Sequence, residues 1–301
     1  MKNYLVESVT LENGEIIAYR QTGKKSKTLI LIHGNMSSSV HFQTLMTELE
    51  AEFHVVAVDL SGFGDSTYRH PKKRLALYAS EVAEVISKLQ LNKVAVLGWS
   101  TGGGVALELA VQLPEKISQV YLLDSVGVKG FEMYQKDEGL QPIFTQRLKT
   151  EEEIAADPVQ VLPILKAYEK KDTEFIKLVW NSSIYLDKQP PLAEYELYLE
   201  AILKQRNLVD IDLALVHFNI TNESNGVAPG SNHLAKIKCP VTIFHGEKDL
   251  IVPLAEAEAT KKLLGEQAEL IVFPQGGHSL VTDDLQGLGQ KIRETYGKGA
   301  V

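Results

Sequence analysis

The chain has 301 residues, 44% hydrophobic and 23% charged, an ordinary globular composition with enough apolar side chain for a sizeable core. The formal net charge of −8 argues against the basic surface that a phosphate backbone requires, so no nucleic-acid partner is expected. The single cysteine, Cys239, excludes an intrachain disulfide and fits a reducing compartment.

The N-terminal stretch turns charged at Glu7 before any signal-like apolar core develops, and no apolar run approaches the ~20 residues that span a bilayer. A cytoplasmic protein without membrane insertion is expected. Residues 5–11 and 15–20 flank Asn13-Gly14, a hairpin signal. Short apolar runs follow at 28–32, 53–58, 93–97, 119–123, 241–244 and 269–273. They are rich in branched residues and apolar at successive positions, as buried parallel strands are. Helical patterning separates them at about 40–50, 77–90, 101–113, 254–264 and 284–296. This alternation predicts an α/β fold with a mostly parallel, doubly wound sheet.

Between about 127 and 235 the alternation stops. Helical periodicity at 154–168, 175–185 and 195–203, broken by Pro190-Pro191, continues there without strand runs. The expectation is a core domain of residues 1–126 and 236–301, with residues 127–235 inserted as a helical cap over the site. Phe144, Leu162, Trp180, Tyr185 and Phe218 are candidates to line the pocket or to form the cap's own core. His217 and Asn219 are candidates to orient a substrate oxygen or to stabilise the cap.

Gly98-Trp99-Ser100-Thr101-Gly102 fits G-x-S-x-G between a strand run and a helix run. The turn must be sharp, so small residues are needed where chains crowd, and the central residue adopts a strained backbone. Ser100 is the candidate nucleophile. The backbone N–H of Thr101, at a helix N-terminus, is a candidate oxyanion donor.

Serine needs a base. His278, in Gly276-Gly277-His278-Ser279 after the last strand run, is the candidate. Asp249 follows the penultimate run and is favoured as the acid that fixes the imidazole tautomer. Asp124 competes because it ends another strand at the same edge, and Glu247 and Asp283 are weaker candidates. His33-Gly34-Asn35-Met36 follows the first central strand and supplies the second oxyanion donor, the Asn35 N–H or alternatively that of Met36. His33 and His245 are expected to pack locally. The segment from Asp59 to Ser66 is expected to be a structural turn.

At these residues the chain resembles the α/β-hydrolase superfamily over about 1–126 and 236–297. His33-Gly34-Asn35, Asp59 through Ser66, Gly98 through Gly103, Asp249 and Gly277-His278 stand in the family's order. The segment Gly98 to Gly104, with Gln205-Arg206-Asn207-Leu208 and Phe218-Asn219-Ile220, also resembles intracellular polyhydroxybutyrate depolymerases. That resemblance implies ester cleavage on a 3-hydroxybutyrate-type polymer or oligomer. Haloalkane dehalogenases and epoxide hydrolases share similar openings, but Ser100 stands where they carry an aspartate. Their alkyl-enzyme chemistry is therefore absent, and Trp99 is expected to pack against the sheet.

The chemistry expected is acyl transfer from a small-molecule ester through an acyl-enzyme, with no cofactor and no metal. Thioesterase, amidase, perhydrolase and carbon–carbon bond hydrolase activities share the same geometry. A binding or sensor protein that keeps the triad is the reading from another class.

Overall fold

The computed structural model describes residues 2–298. Ten strands are found among them: β1 (Glu7–Thr10), β2 (Ile16–Gln21), β3 (Lys27–Ile32), β4 (Phe53–Val58), β5 (Val94–Trp99), β6 (Ile117–Leu123), β7 (Tyr134–Lys136), β8 (Pro142–Arg147), β9 (Val241–Gly246) and β10 (Ala268–Phe273). Eight of these form one sheet in the order β1-β2-β4-β3-β5-β6-β9-β10. The hairpin strands β1 and β2 join antiparallel, and every pairing from β4 to β10 is parallel.

Burial explains why the central strands are continuous apolar runs. In β3, Leu29 and Leu31 enter one hydrophobic cluster and Ile30 and Ile32 enter the other, on the opposite face. All four are fully buried, and each contributes about 1.5–3 kcal/mol by leaving water. Ile30 pairs with Val56 of β4 on one side and Val96 of β5 on the other.

The helices are α1 (Gln43–Leu49), α2 (Leu75–Lys88), α3 (Thr101–Gln112), α4 (Glu151–Ala155), α5 (Leu162–Lys170), α6 (Thr173–Ser183), α7 (Leu192–Ile202), α8 (Leu208–His217), α9 (Leu254–Leu264), α10 (Leu280–Asp283) and α11 (Leu285–Thr295). Apolar residues of α2, α3 and α9 cover one sheet face. Those of α1 and α11 cover the other, which continues into the aromatic residues of α6 and α7. Among the described residues no helix is long and apolar enough to cross a membrane.

The stretch between β6 and β9 carries α4 to α8, as its helical periodicity predicts, and one element that it does not predict. Strands β7 and β8 form an antiparallel hairpin. Its residues are half-buried or exposed, so no alternating apolar signal marks it. The expected core boundaries reach residues 1 and 299–301, which lie outside the described residues.

Candidate functional site

Parallel strands in one sheet deliver their carboxyl ends to one edge, where a crevice forms. Ile32, Trp99, Leu123, Gly246 and Phe273 are the last residues of β3, β5, β6, β9 and β10. The segments bearing Asn35, Ser100, Asp124, Asp249 and His278 follow directly.

Ser100 sits between β5 and α3 with φ 54° and ψ −120°, a left-handed conformation costly for a side chain with a Cβ. The turn is pinned on all sides. The Ser100 N–H donates to the Leu123 carbonyl (2.9 Å), and the Ser100 carbonyl accepts from Gly103 (3.0 Å) and Val126 (3.2 Å). Glycine is required by close approach: a Cβ on Gly98 would lie 2.1 Å from the Gly102 carbonyl oxygen, and one on Gly102 would lie 2.2 Å from that of Ile32. Among the described residues no side chain hydrogen-bonds the Ser100 hydroxyl, which is half-buried.

His278 Nδ1 donates to Asp249 Oδ2 at 2.8 Å, with both side chains buried. Asp249 Oδ1 accepts from the N–H groups of Ile251 (2.8 Å) and Val252 (2.9 Å). Burial alone would raise the Asp249 carboxyl. The His278 ring and these amide donors outweigh it and hold the carboxyl below its ordinary range. With Nδ1 committed, His278 Nε2 is the ring nitrogen left to accept a proton.

The competing carboxyls lie elsewhere. Asp124 is fully buried; its Oδ1 accepts from Gly246 N–H (2.8 Å) and its Oδ2 from Leu280 N–H (3.4 Å). It thus ties together the segments that carry Asp249 and His278. Burial and then the proximity of Asp249 push its carboxyl well above the ordinary range. Asp283 Oδ2 accepts from Gly277 N–H (2.7 Å), and Glu247 is exposed.

His33 Nε2 accepts from Leu60 N–H (3.0 Å) and its Nδ1 donates to the Gly34 carbonyl (2.7 Å). His245 Nε2 donates to the Val252 carbonyl (2.9 Å). Asp124, His245 and Asp249 also form a group with potential metal-ligating atoms within 4.8 Å of one another. Their carboxylate oxygens and His245 Nε2 already have the protein partners given above, while the buried His245 Nδ1 has no hydrogen-bond partner among the described residues.

Trp99 does more than pack. Its Nε1–H donates to the His278 carbonyl at 2.7 Å, coupling the residue before Ser100 to the histidine segment. Trp99 also meets Trp180 edge-on at 6.3 Å between ring centroids, and Trp180 packs on Tyr185 at 5.3 Å. Trp180 and Tyr185 are therefore buried on the Trp99 side, and Leu162 is half-buried at the start of α5.

Phe144 and Phe218, candidates for the pocket lining or for a core of the inserted helices, take neither place. Phe144 is 74% exposed and packs on Tyr134 within the β7–β8 hairpin. Phe218 belongs to the cluster on the other sheet face, against Gly104. His217, Phe218 and Asn219 instead border a cavity of about 330 Å³ shared with Arg74, Glu108 and His233. His217 Nε2 donates to the Lys149 carbonyl (2.8 Å). Asn219 is consumed by its own loop, donating to the carbonyls of Glu223 and Ala228 and accepting from Thr221. Both side chains are engaged by backbone and side-chain groups of the stretch between β6 and β9.

The Asn35 side chain is held from α8: its Nδ2 donates to Asp212 Oδ1 at 2.9 Å. Sequence reasoning missed Asp212, one of two aspartates on α8 with Asp210, because no local motif marks it as a partner of Asn35. Burial, and then the nearby Asp157 carboxylate, push the Asp212 carboxyl up to about 8 against the opposing Asn35 hydrogen bond. An unfolded aspartate titrates near ~4. Between those values the folded chain keeps a proton that the unfolded chain has released. Stability from this group therefore falls as pH rises through the window and levels off once Asp212 is ionised in both states. Asp212→Asn keeps the acceptor and removes the titration. Its Tm is expected to decline less steeply than wild type from about pH 5 to about pH 8, checked by thermal unfolding across that range; parallel curves would exclude a raised Asp212.

The sequence profile described as alpha/beta hydrolase fold matches residues 27–285. The chain is 27% identical over 265 residues to a pimeloyl-[acyl-carrier protein] methyl ester esterase of Aliivibrio fischeri, covering 87% of this chain and 90% of that protein. It is 24% identical over 277 residues to a 2-hydroxymuconate semialdehyde hydrolase of Pseudomonas sp., covering 83% and 80%. Among solved structures, an esterase from Exiguobacterium antarcticum superposes with a TM-score of 0.74 at 20% identity, covering 96% of this chain and 98% of that one. The sheet order, the strained turn at Ser100 and the profile match over most of the length agree: this chain belongs to the α/β-hydrolase fold family.

Proposed function

We propose that the protein is a serine hydrolase of carboxylic esters, with Ser100 as nucleophile, His278 as general base and Asp249 as orienting acid. The observation that carries this reading is the buried 2.8 Å His278 Nδ1–Asp249 Oδ2 hydrogen bond at the sheet edge that also bears the strained Ser100 turn. Ser100 Oγ attacks the ester carbonyl carbon as its proton passes to His278 Nε2. His278 then gives that proton to the departing alcohol, leaving an acyl-enzyme, and water hydrolyses it by the reverse sequence.

The backbone N–H groups of Thr101 and Asn35 are the proposed oxyanion donors. Thr101 opens α3, where the first amides have no intrahelical acceptor. Of the two candidates on the other loop, Met36 N–H is already engaged by Asn35 Oδ1 (2.9 Å) and Gln205 Oε1 (3.1 Å), which favours Asn35. We read residues 1–126 and 236–301 as the core and 127–235 as the cap. The esterase relative supports ester chemistry, and resemblance to polyhydroxybutyrate depolymerases makes 3-hydroxybutyrate oligomers a substrate class to test.

Wild-type protein is expected to turn over p-nitrophenyl acyl esters and to be labelled by a fluorophosphonate at Ser100. The same panel includes 3-hydroxybutyrate oligomers, an acyl thioester and an anilide. Turnover of none of them, with ligand binding retained, would favour the sensor reading; preference for the thioester or the anilide would reassign the scissile bond.

A further inference from the structure

Gln205 is a buried amide in the short connection between α7 and α8. Its Nε2 donates to Asn35 Oδ1 at 2.7 Å, and its Oε1 accepts from Met36 N–H at 3.1 Å and from the Tyr168 hydroxyl at 3.0 Å. The Asn35 side chain is thereby engaged at both ends, its Nδ2 donating to Asp212 Oδ1 at 2.9 Å. Met36 sits at φ 52°, a conformation that persists for such a residue only where its surroundings over-determine it. Here the over-determining contacts come from the cap.

The segment that carries Gln205 is itself fastened to the core. Lys204 Nζ pairs with Asp65 Oδ1 (2.7 Å), Arg206 N–H donates to the Gly62 carbonyl (2.9 Å), and Asn207 Nδ2 donates to the Ser61 carbonyl (3.1 Å). The turn from Asp59 to Ser66 is thus more than a local turn, because it is where the cap lands. In turn, Asp59 Oδ1 accepts from Ser39 N–H at 2.7 Å, beyond the oxyanion loop. Both ends of the Asn35 loop therefore have a rigid support.

We propose that Gln205 is a positioning residue: acting through the Asn35 side chain and the Met36 N–H, it holds the Asn35 backbone amide in place for the developing oxyanion. This rests on the reading of Asn35 N–H as an oxyanion donor. It assigns the cap two separable tasks. Residues that touch the acyl group select among substrates, whereas Gln205 supports the chemical step for every ester, because an oxyanion forms whatever the chain length.

The test is steady-state kinetics on p-nitrophenyl acetate and octanoate. Removing one oxyanion donor outright costs about 10²–10³ in kcat; loosening one through its support is expected to cost about 10–10². Gln205→Leu is expected to lower kcat by that factor on both esters with KM little changed. Asn35→Ala keeps the backbone N–H but cuts the clamp, so it should lose a similar factor, and the double variant should be no worse than either single. Should Gln205→Leu fold poorly by circular dichroism, Gln205→Glu keeps the volume and the acceptors for Met36 and Tyr168 but turns an acceptor toward Asn35 Oδ1; it is expected to show the same kcat loss. Wild-type kcat, a rise in KM alone, a loss confined to octanoate, or additive losses in the double variant would each overturn the proposal. Ser100→Ala run alongside separates the two levels. An inactive Ser100→Ala with an unaffected Gln205 variant sinks the positioning role alone, while an active Ser100→Ala sinks the catalytic reading and this proposal with it.

Discussion

Ser100→Ala is expected to abolish ester turnover, lowering kcat by on the order of 10⁵–10⁶, the loss seen when a serine nucleophile is removed. The fold should survive. Alanine keeps the Cβ that already tolerates φ 54° at this turn, and the backbone bonds to Leu123, Gly103 and Val126 do not involve the side chain. Only the hydroxyl is lost, and among the described residues it has no side-chain partner to leave unsatisfied. Thermal unfolding should therefore be close to wild type, and fluorophosphonate labelling should vanish. Wild-type-like turnover, or continued labelling at another serine, would remove Ser100 from the mechanism. A large fall in Tm would show that the hydroxyl has a structural role.

Asp249→Asn is expected to lower kcat by roughly 10²–10⁴, as when tautomer control is lost in serine triads. Asp249 accepts a proton-bearing Nδ1 at 2.8 Å through Oδ2, while Oδ1 caps the N–H groups of Ile251 and Val252. Asparagine can keep Oδ1 on the two amides, and its NH₂ then faces His278. The imidazole responds by placing its proton on Nε2, where it can no longer accept the serine proton. Asp124→Asn is expected to do little by comparison. Asp124 does not touch the imidazole; its Oδ1 accepts from Gly246 N–H, an acceptor that an amide keeps, and burial and then Asp249 already push its carboxyl well above the ordinary range. Kinetics of the two variants side by side decide the assignment, and the reverse ranking would move the acid to Asp124.

What the sequence by itself determined was everything written locally. The apolar runs at 28–32, 53–58 and 93–97 announce strands buried on both faces because each must satisfy two hydrophobic layers with consecutive residues. The strand–turn–helix around Ser100 is legible because the glycines it needs, Gly98 and Gly102, lie within four residues of one another. The order of Ser100, Asp249 and His278, each just past a strand run, places them at one edge because parallel strands share their carboxyl ends. Only the tertiary structure decided which of Asp249 and Asp124 meets the imidazole, since both end strands at that edge and the distinction lies in a 2.8 Å contact. It also decided that Phe144, on the β7–β8 hairpin, is exposed to solvent and that Phe218, just past α8, packs toward the far sheet face, because an apolar residue in the sequence does not say which surface it meets. The same holds for Trp99 with His278 and for Gln205 and Asp212 with Asn35, the last two pairs being 170 and 177 residues apart. A hydrogen bond between such distant side chains leaves no period or spacing in the chain, so it becomes visible only when the fold brings the two ends together.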